Sequence, residues 1–396
     1  MALATPVHPP ARFLLGPGPS NVDPSVLQAA SSPILGHLDP AYFPILAEVG
    51  ARLRRVFGTE NPLTFAMPGT GFSGMEAALC NLLEAGDTIL VGSAGYFGGK
   101  LIDIAHRCGA QVQVIEGTWG QPLDPTAFRQ AFKQHAPVKV VALVLAETST
   151  GVLQPLGEIA RLTHEHDALL LVDAVTALGG LAVNVDALGI DACYSCTQKC
   201  LGALPGLAPI TFSERAVSAI KRRKTPVQSW YLDALALADY WYGSPHSYHH
   251  TSNVSLVYAL HQALGLGEQE GWEARYARHQ RHGQALQAGL EALGLELFAA
   301  SGHRLPMLTA VRIPSGVDDA GIRQALLEEY NTEIGGGFGE YKGKVWRLGL
   351  MGYNASEHSV FHLLAALERL LERAGVTLEA GAGRRAADAF YARQQQ

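Results

Sequence analysis

Long hydrophobic runs are missing from this chain. None approaches the roughly 18 residues that a bilayer-crossing helix needs, although 48% of the 396 residues are hydrophobic. An excess of positive charge is missing too. The 30 Lys and Arg stand against 36 Asp and Glu, a formal charge of −6, which argues against nucleic acid as the main partner. The one basic cluster, Lys221-Arg222-Arg223-Lys224, reads as a solvated helix end that complements the helix dipole. Cysteine is scarce and odd in number: Cys80, Cys108, Cys193, Cys196 and Cys200 make no disulfide framework. No apolar signal core follows Met1, where prolines break ALATPVHPPARF, and the ending Arg393-Gln394-Gln395-Gln396 is not a peroxisomal tripeptide. The expectation is a cytoplasmic protein with reduced thiols.

What is present is an alternation of two periodicities. Apolar runs at Leu63–Ala66, Thr88–Val91, Val112–Ile115, Val138–Leu145, Leu169–Val172, Ala192–Cys196 and Leu207–Phe212 alternate with helical stretches such as SGMEAALCNLLEAGD and PLGEIARLTHEHDA. Several of these runs are unbroken rather than alternating, as strands buried on both faces of a mainly parallel sheet should be. The prediction is an α/β fold: a wound, mainly parallel sheet in a large domain, followed by a smaller α+β domain. Boundaries are placed at 1–20 for a Pro/Gly-rich extended arm, 21–270 for the large domain, 271–378 for the small one and 379–396 for a tail. There are no internal repeats.

The stretch MPGTGFSGMEAAL holds a G-x-G-x-x-G at Gly69, Gly71 and Gly74, after an apolar run and before a helix. That is the local grammar of a dinucleotide site. A dinucleotide site also needs an acid at the end of the next strand for the ribose hydroxyls, and Gly92–Phe97 carries none. What survives is a helix N-terminus whose free N–H groups attract a phosphate of any origin, with Thr70 and Ser73 adding hydroxyls.

Two further residues narrow the phosphate's identity. LLLVDAV puts Asp173 at the end of a buried strand, where an unpaired carboxylate is costly, and CYSCTQKC puts Lys199 just after the next strand-like run. Both strand ends open on the crevice where α/β sheets bind ligands. An acid, a lysine and a phosphate cradle together suit pyridoxal 5′-phosphate. Lys199 would form the Schiff base, and Asp173 would keep the pyridine nitrogen protonated. Such a pair at about 4 Å and an effective dielectric of about 20 is worth on the order of 4 kcal/mol.

The chain resembles class V, fold-type I, PLP-dependent aminotransferases, and most closely the alanine–glyoxylate and serine–glyoxylate (serine–pyruvate) group. The resemblance runs from about Leu14 to Val376 through LLGPGPSNV, GTGFSGMEAAL, ETSTGVLQPL, LLLVDAV, SCTQK, YHHTSNVS and GKVWRLGLMG. It implies that Lys199 is the catalytic lysine and Asp173 the partner of the ring nitrogen. Thr148 lies near the ring's O3′, and Thr70, Gly71 and Gln198 hold the phosphate. Tyr248 and Thr251 reach that phosphate from the neighbouring subunit of a homodimer. Arg347 clamps the substrate carboxylate, for which a guanidinium fork is suited, and Gly18 sits beside the substrate. Phe97, next to Tyr96, stands where the family stacks a tryptophan on the ring. Phe72 replaces a histidine, and Thr70 and Thr148 replace serines. The implied reaction transfers an amino group from alanine or serine to glyoxylate or a similar 2-oxo acid, giving glycine and pyruvate or hydroxypyruvate.

Other readings stay open at this stage. Ureidoglycine–glyoxylate and 2-aminoethylphosphonate aminotransferases share the pattern. Desulfurases and lyases share the fold, but they carry a histidine before the lysine and a late cysteine, where this chain has Gln198 and none after Cys200. Cys193-x-x-Cys196-x-x-x-Cys200 has metal-like spacing with no fourth thiolate nearby, so no metal is expected. His246, His249 and His250 read as loop or interface residues, and His164 and His166 as residues of a solvated helix end.

Overall fold

Unbroken aliphatic runs become the middle of the sheet. In the computed structural model, which describes residues 7–394, seven strands form the central sheet. They are β1 (Leu63–Pro68), β2 (Thr88–Ser93), β3 (Gln111–Glu116), β4 (Val140–Val144), β5 (Leu169–Asp173), β6 (Ala192–Tyr194) and β7 (Leu207–Phe212). Their spatial order is β1-β7-β6-β5-β4-β2-β3. Strands β3, β2, β4, β5 and β6 pair in parallel, while β7 runs against both β6 and β1. Every residue of β4 and β5 is buried, whereas QVQVIE of β3, at the sheet edge, is largely exposed. Each fully buried Val or Leu in the middle strands stabilises the sheet by roughly 1.5–3 kcal/mol.

This topology also settles the dinucleotide pattern. The strand that leads into Gly69 is an edge strand whose only neighbour runs antiparallel. A dinucleotide fold instead starts from a strand inside a parallel βαβ unit.

A second sheet carries Leu308–Arg312 (β8), Gly335–Gly336 (β9) and Val345–Gly349 (β10), all antiparallel. Successive side chains of a strand point to opposite faces. Trp346 and Leu348 therefore enter an apolar cluster with the helices Trp272–Ala292 and Glu357–Arg373, while Arg347 faces the other way.

The N-terminal segment is laced in rather than loose. Phe13–Leu14 pairs with Thr332–Glu333, Leu15 accepts a hydrogen bond from the Gly349 N–H at 2.7 Å, and the Ser20 N–H donates to the Gln198 carbonyl at 2.9 Å. The segment after Ala380 forms a helix, Ala382–Arg393. Ala387 and Tyr391 pack it into the same apolar cluster, and the Tyr391 hydroxyl lies 2.8 Å from His282 Nδ1.

The basic cluster departs from its sequence reading. Lys221 does end a helix, but Arg223 donates from Nη1 to the carbonyls of Asn81 and Leu83 at 3.0 and 2.6 Å. Those carbonyls lie at the end of helix Gly71–Leu82, where they lack intrahelical partners. Arg223 is a cap for a second helix, not only a solvated charge. His166 is the exposed cap at the end of helix Gly157–Glu165, as read, and its ring also stacks on Phe132 at 4.1 Å.

Candidate active site

The C-terminal ends of the central strands converge on one cavity of about 270 Å³. Gly18, Thr70, Gly71, Phe72, Phe97, Thr148, Asp173, Gln198, Lys199 and Arg347 all line it. Each arrives from a different loop: Thr70 and Gly71 follow β1, Phe97 follows β2, Thr148 follows β4, Asp173 ends β5 and Lys199 follows β6. Burial of the strands drives the convergence, because the last apolar residue of each fixes where its polar successor emerges.

Lys199 is buried, and its amine donates to Thr176 Oγ1 at 2.7 Å and to Thr148 Oγ1 at 3.2 Å. Burial pushes its pKa down, opposed by the neighbouring acid and thiols. Gly18 presses on the same side chain. Its φ is +105°, and an added Cβ would stand 3.1 Å from Lys199 Cγ and 3.3 Å from Cε. The backbone conformation favours glycine there, and any side chain would crowd Lys199. Asp173 accepts from the Tyr194 hydroxyl at 2.7 Å and the Val175 N–H at 2.8 Å. Burial raises its pKa, and those two donors and Lys199 work in the opposite direction.

One end of the cavity is formed by the N-terminus of the helix Gly71–Leu82. Thr70 is its N-cap residue but makes no side-chain capping bond, so its hydroxyl is uncommitted. The first N–H groups of the helix have no partner within it. Ser73 does not join them, because its hydroxyl donates to the Thr70 carbonyl at 2.7 Å. Gln198 brings a side-chain amide whose Oε1 is buried without a hydrogen-bond partner. An amide oxygen only accepts, so the group of Gln198 that a phosphate would meet is its Nε2, which makes no hydrogen bond among the described residues. A pyridine ring bearing a phosphate matches this set: uncommitted donors at one end, a buried carboxylate and an amine at the other, and the Phe97 ring 5.8 Å from the amine.

Arg347 is buried, and burial lowers its pKa to about 10, so it stays charged at neutral pH. Its Nε donates to the Gly336 carbonyl at 2.7 Å. Its terminal nitrogens make no hydrogen bond among the described residues. Glu147 attracts it at longer range, but that carboxylate is occupied by the Ser149 N–H and hydroxyl at 3.0 and 2.5 Å.

Tyr248 and Thr251 do not line this chain's cavity. Tyr248 is 63% exposed and lies near His37, and Thr251 is exposed. The cysteines form no metal centre: all five are free and buried, and no metal-holding cluster exists among the described residues. Burial pushes the Cys196 thiol up to about 11 and the Cys200 thiol up to about 12, which keeps both protonated. Three site residues were missed from sequence: Thr176 against the amine, Tyr194 against the carboxylate, and Phe338 over the guanidinium. Thr176 alone left a trace, as a hydroxyl three residues beyond Asp173 in LLLVDAVT.

Comparison with known proteins places this geometry. The family model described as aminotransferase class-V matches residues 13–346. A crystal structure of alanine–glyoxylate aminotransferase from Nostoc sp. is 49% identical. It superposes with a TM-score of 0.91 and covers 93% of this chain and 97% of its own. The ureidoglycine–glyoxylate aminotransferase of Bacillus subtilis is 40% identical with a TM-score of 0.93, over 99% of this chain and 100% of its own. The alanine–glyoxylate aminotransferase of Drosophila melanogaster is 39% identical over 94% of this chain and 95% of its own length.

Proposed function

The chain belongs to the class-V aminotransferase family, and from that premise we propose that it moves the amino group of alanine or serine to glyoxylate. The observation that carries this reading is Arg347: a buried, charged guanidinium with uncommitted terminal nitrogens, in the cavity that also holds Lys199 and Asp173. Alanine and glyoxylate are both small monocarboxylates, so one fork serves both half-reactions by two parallel hydrogen bonds.

Pyridoxal 5′-phosphate, the family's cofactor, supplies when bound a carbonyl that accepts the amino group and a ring that stores the electron pair released at the substrate's Cα. The chain's own residues do the rest. Thr70, the N–H groups of Gly71 and Phe72, and Gln198 hold the phosphate. Asp173, oriented by Tyr194, keeps a proton on the ring nitrogen. Lys199 Nζ, whose pKa burial lowers and which Thr148 and Thr176 position, takes the proton from Cα as a general base and returns it on the reverse step.

The assembly proposed is a cytoplasmic homodimer in which Tyr248 and Thr251 complete the partner's phosphate site. Its support is the surface around them, where Trp230 is 68% exposed beside the half-exposed Tyr231. Such aromatic exposure is typical of an interface. No helix among the described residues is long and apolar enough to cross a membrane. The division between large and small domains is set near Gly271 (φ +84°), because the helix before it packs in one apolar cluster, while Ala285, Leu286 and Leu290 of the helix after it pack in the other.

A second reading, ureidoglycine as donor, is favoured by the Bacillus subtilis match. A ureido group needs several hydrogen-bond partners, and the Phe72, Phe97 and Phe338 rings that line the cavity offer none. Donor profiling against glyoxylate decides. The expected order puts alanine or serine above ureidoglycine and 2-aminoethylphosphonate in kcat/KM, with stoichiometric glycine; turnover of ureidoglycine alone would reverse the assignment.

A further inference from the structure

Phe338 was not singled out by sequence, yet it meets the Arg347 guanidinium and the rings of Tyr96 and Phe97. It follows the triple glycine Gly335-Gly336-Gly337, and its side chain lines the cavity. The Arg347 guanidinium carbon lies 4.1 Å from the centre of its ring. That ring stacks on Tyr96 at 4.4 Å and 26°, and meets Phe97 edge-on at 6.2 Å and 76°. Phe97 in turn lies 6.2 Å from Phe72 at the mouth. The rings make a continuous wall from the arginine to the opening.

The loop that carries Phe338 is fixed. Its carbonyl accepts the Tyr341 N–H at 3.0 Å, and the Lys344 N–H donates to Tyr341 at 3.0 Å. Arg347 is thereby held twice, at Nε by the Gly336 carbonyl and by the Phe338 ring, over which its guanidinium carbon lies. A guanidinium stacked on a ring keeps its forked edge free. Lys199 and Arg347 are the two basic side chains in the described lining, and the Lys199 amine is already engaged by Thr148 and Thr176. A donor whose α-carboxylate occupies Arg347 leaves any second carboxylate facing aromatic rings, where it is desolvated without a partner.

Building on the transaminase reading, we propose that Phe338 is a positioning and specificity residue. It fixes the plane of the Arg347 guanidinium and closes the side-chain end of the substrate pocket. Donors with small, uncharged side chains fit; longer or acidic ones do not.

The test compares the wild-type holoenzyme with Phe338→Ala and Phe338→Leu. Two readouts are taken: kcat/KM for alanine, 2-aminobutyrate and norvaline with glyoxylate, and the dissociation constant of propionate, an unreactive monocarboxylate. In Phe338→Ala the KM for alanine and the propionate constant should both rise about fivefold or more as the cation–π support is lost, with kcat changing much less. The alanine-to-norvaline ratio of kcat/KM should fall about tenfold, the scale on which a pocket discriminates methylenes. Phe338→Leu, which restores bulk without the ring, should recover much of the chain-length preference but not propionate affinity. A cofactor-loaded variant whose ratio and propionate constant stay within about twofold of wild type overturns the proposal. Should Phe338→Ala fail to load cofactor, Phe338→Leu decides by the same propionate measurement. A wild type that does not transaminate alanine sinks the parent reading instead, and propionate binding still judges the role of Phe338 over Arg347.

Discussion

The Tyr194 hydroxyl donates to Asp173 Oδ2 at 2.7 Å, and both residues are buried. Tyr194 ends β6 and Asp173 ends β5, and the two residues are register partners across the parallel pair. The sheet itself therefore aims the carboxylate, leaving its charge for a ligand in the cavity.

This contact sets the first prediction. Tyr194→Phe keeps the ring and its packing but removes the donor. A hydrogen bond to a charged group is worth about 1.5–3 kcal/mol, so the dissociation constant of pyridoxal phosphate should rise by roughly 10- to 100-fold. Fluorescence titration of the cofactor-free protein measures it. A constant within about twofold of wild type would mean that the hydroxyl plays no part in holding Asp173 ready.

Arg347→Ala should raise the KM for alanine and for glyoxylate alike, by about 10- to 100-fold, because the same fork receives both carboxylates. Arg347→Lys should recover little. An ammonium cannot bond a carboxylate through two parallel N–H groups, nor present a flat face to Phe338. A rise for one substrate only would show that the two carboxylates bind at different places.

Acid stability should depend on His279. This residue is fully buried on helix Trp272–Ala292, with Nδ1 2.8 Å from the Arg275 carbonyl and Nε2 accepting the Gly352 N–H at 3.0 Å. A carbonyl can only accept, so Nδ1 carries the proton and the ring is neutral. Burial lowers its pKa to about 3 from an ordinary 6.5. The sign follows from proton counting. Above pH 6.5 neither folded nor unfolded histidine is charged, and this group has no effect. Below 6.5 the unfolded chain takes up a proton that the folded one refuses, so stability falls as pH falls, by about 1.4 kcal/mol per unit until the folded pKa is reached. Between pH 7.5 and 5 the loss from this group is about 2 kcal/mol. Denaturant unfolding at the two pH values, for wild type and His279→Gln, should show a shallower pH dependence in the variant. Equal dependence would remove His279 as the cause.

The same residue illustrates what the sequence could and could not reveal. His279 carries no local mark of its role, because its partners, Arg275 aside, lie 73 residues away in the chain. By contrast, β4 and β5 were legible as VVALV and LLLVD, since a strand buried on both faces leaves an unbroken apolar record. The two-residue strand Gly335–Gly336 left none: glycine has no side chain to show which face is covered, and its partner strand lies ten residues on. Asp173 and Lys199 stood out because a carboxylate and an amine are expensive at buried strand ends, whereas Arg347 was reached only through the family resemblance. Thr176, Tyr194 and Phe338 did not stand out. A threonine, a tyrosine or a phenylalanine is unremarkable in a core, and only the three-dimensional meeting with an amine, a carboxylate or a guanidinium gives it a role. The Arg223 cap was hidden for the same reason, because the carbonyls it serves belong to a helix more than a hundred residues earlier.

The most direct test of the central claim, that Lys199 and Asp173 serve one bound cofactor ring, is the visible absorption of the purified protein during a two-step titration. The cofactor band should be present in wild type, be lost on adding alanine, and return on adding glyoxylate. Lys199→Ala should still bind the cofactor but fail to cycle. A wild-type protein that shows no such band after incubation with pyridoxal phosphate, or a Lys199→Ala variant that cycles like wild type, would contradict the account.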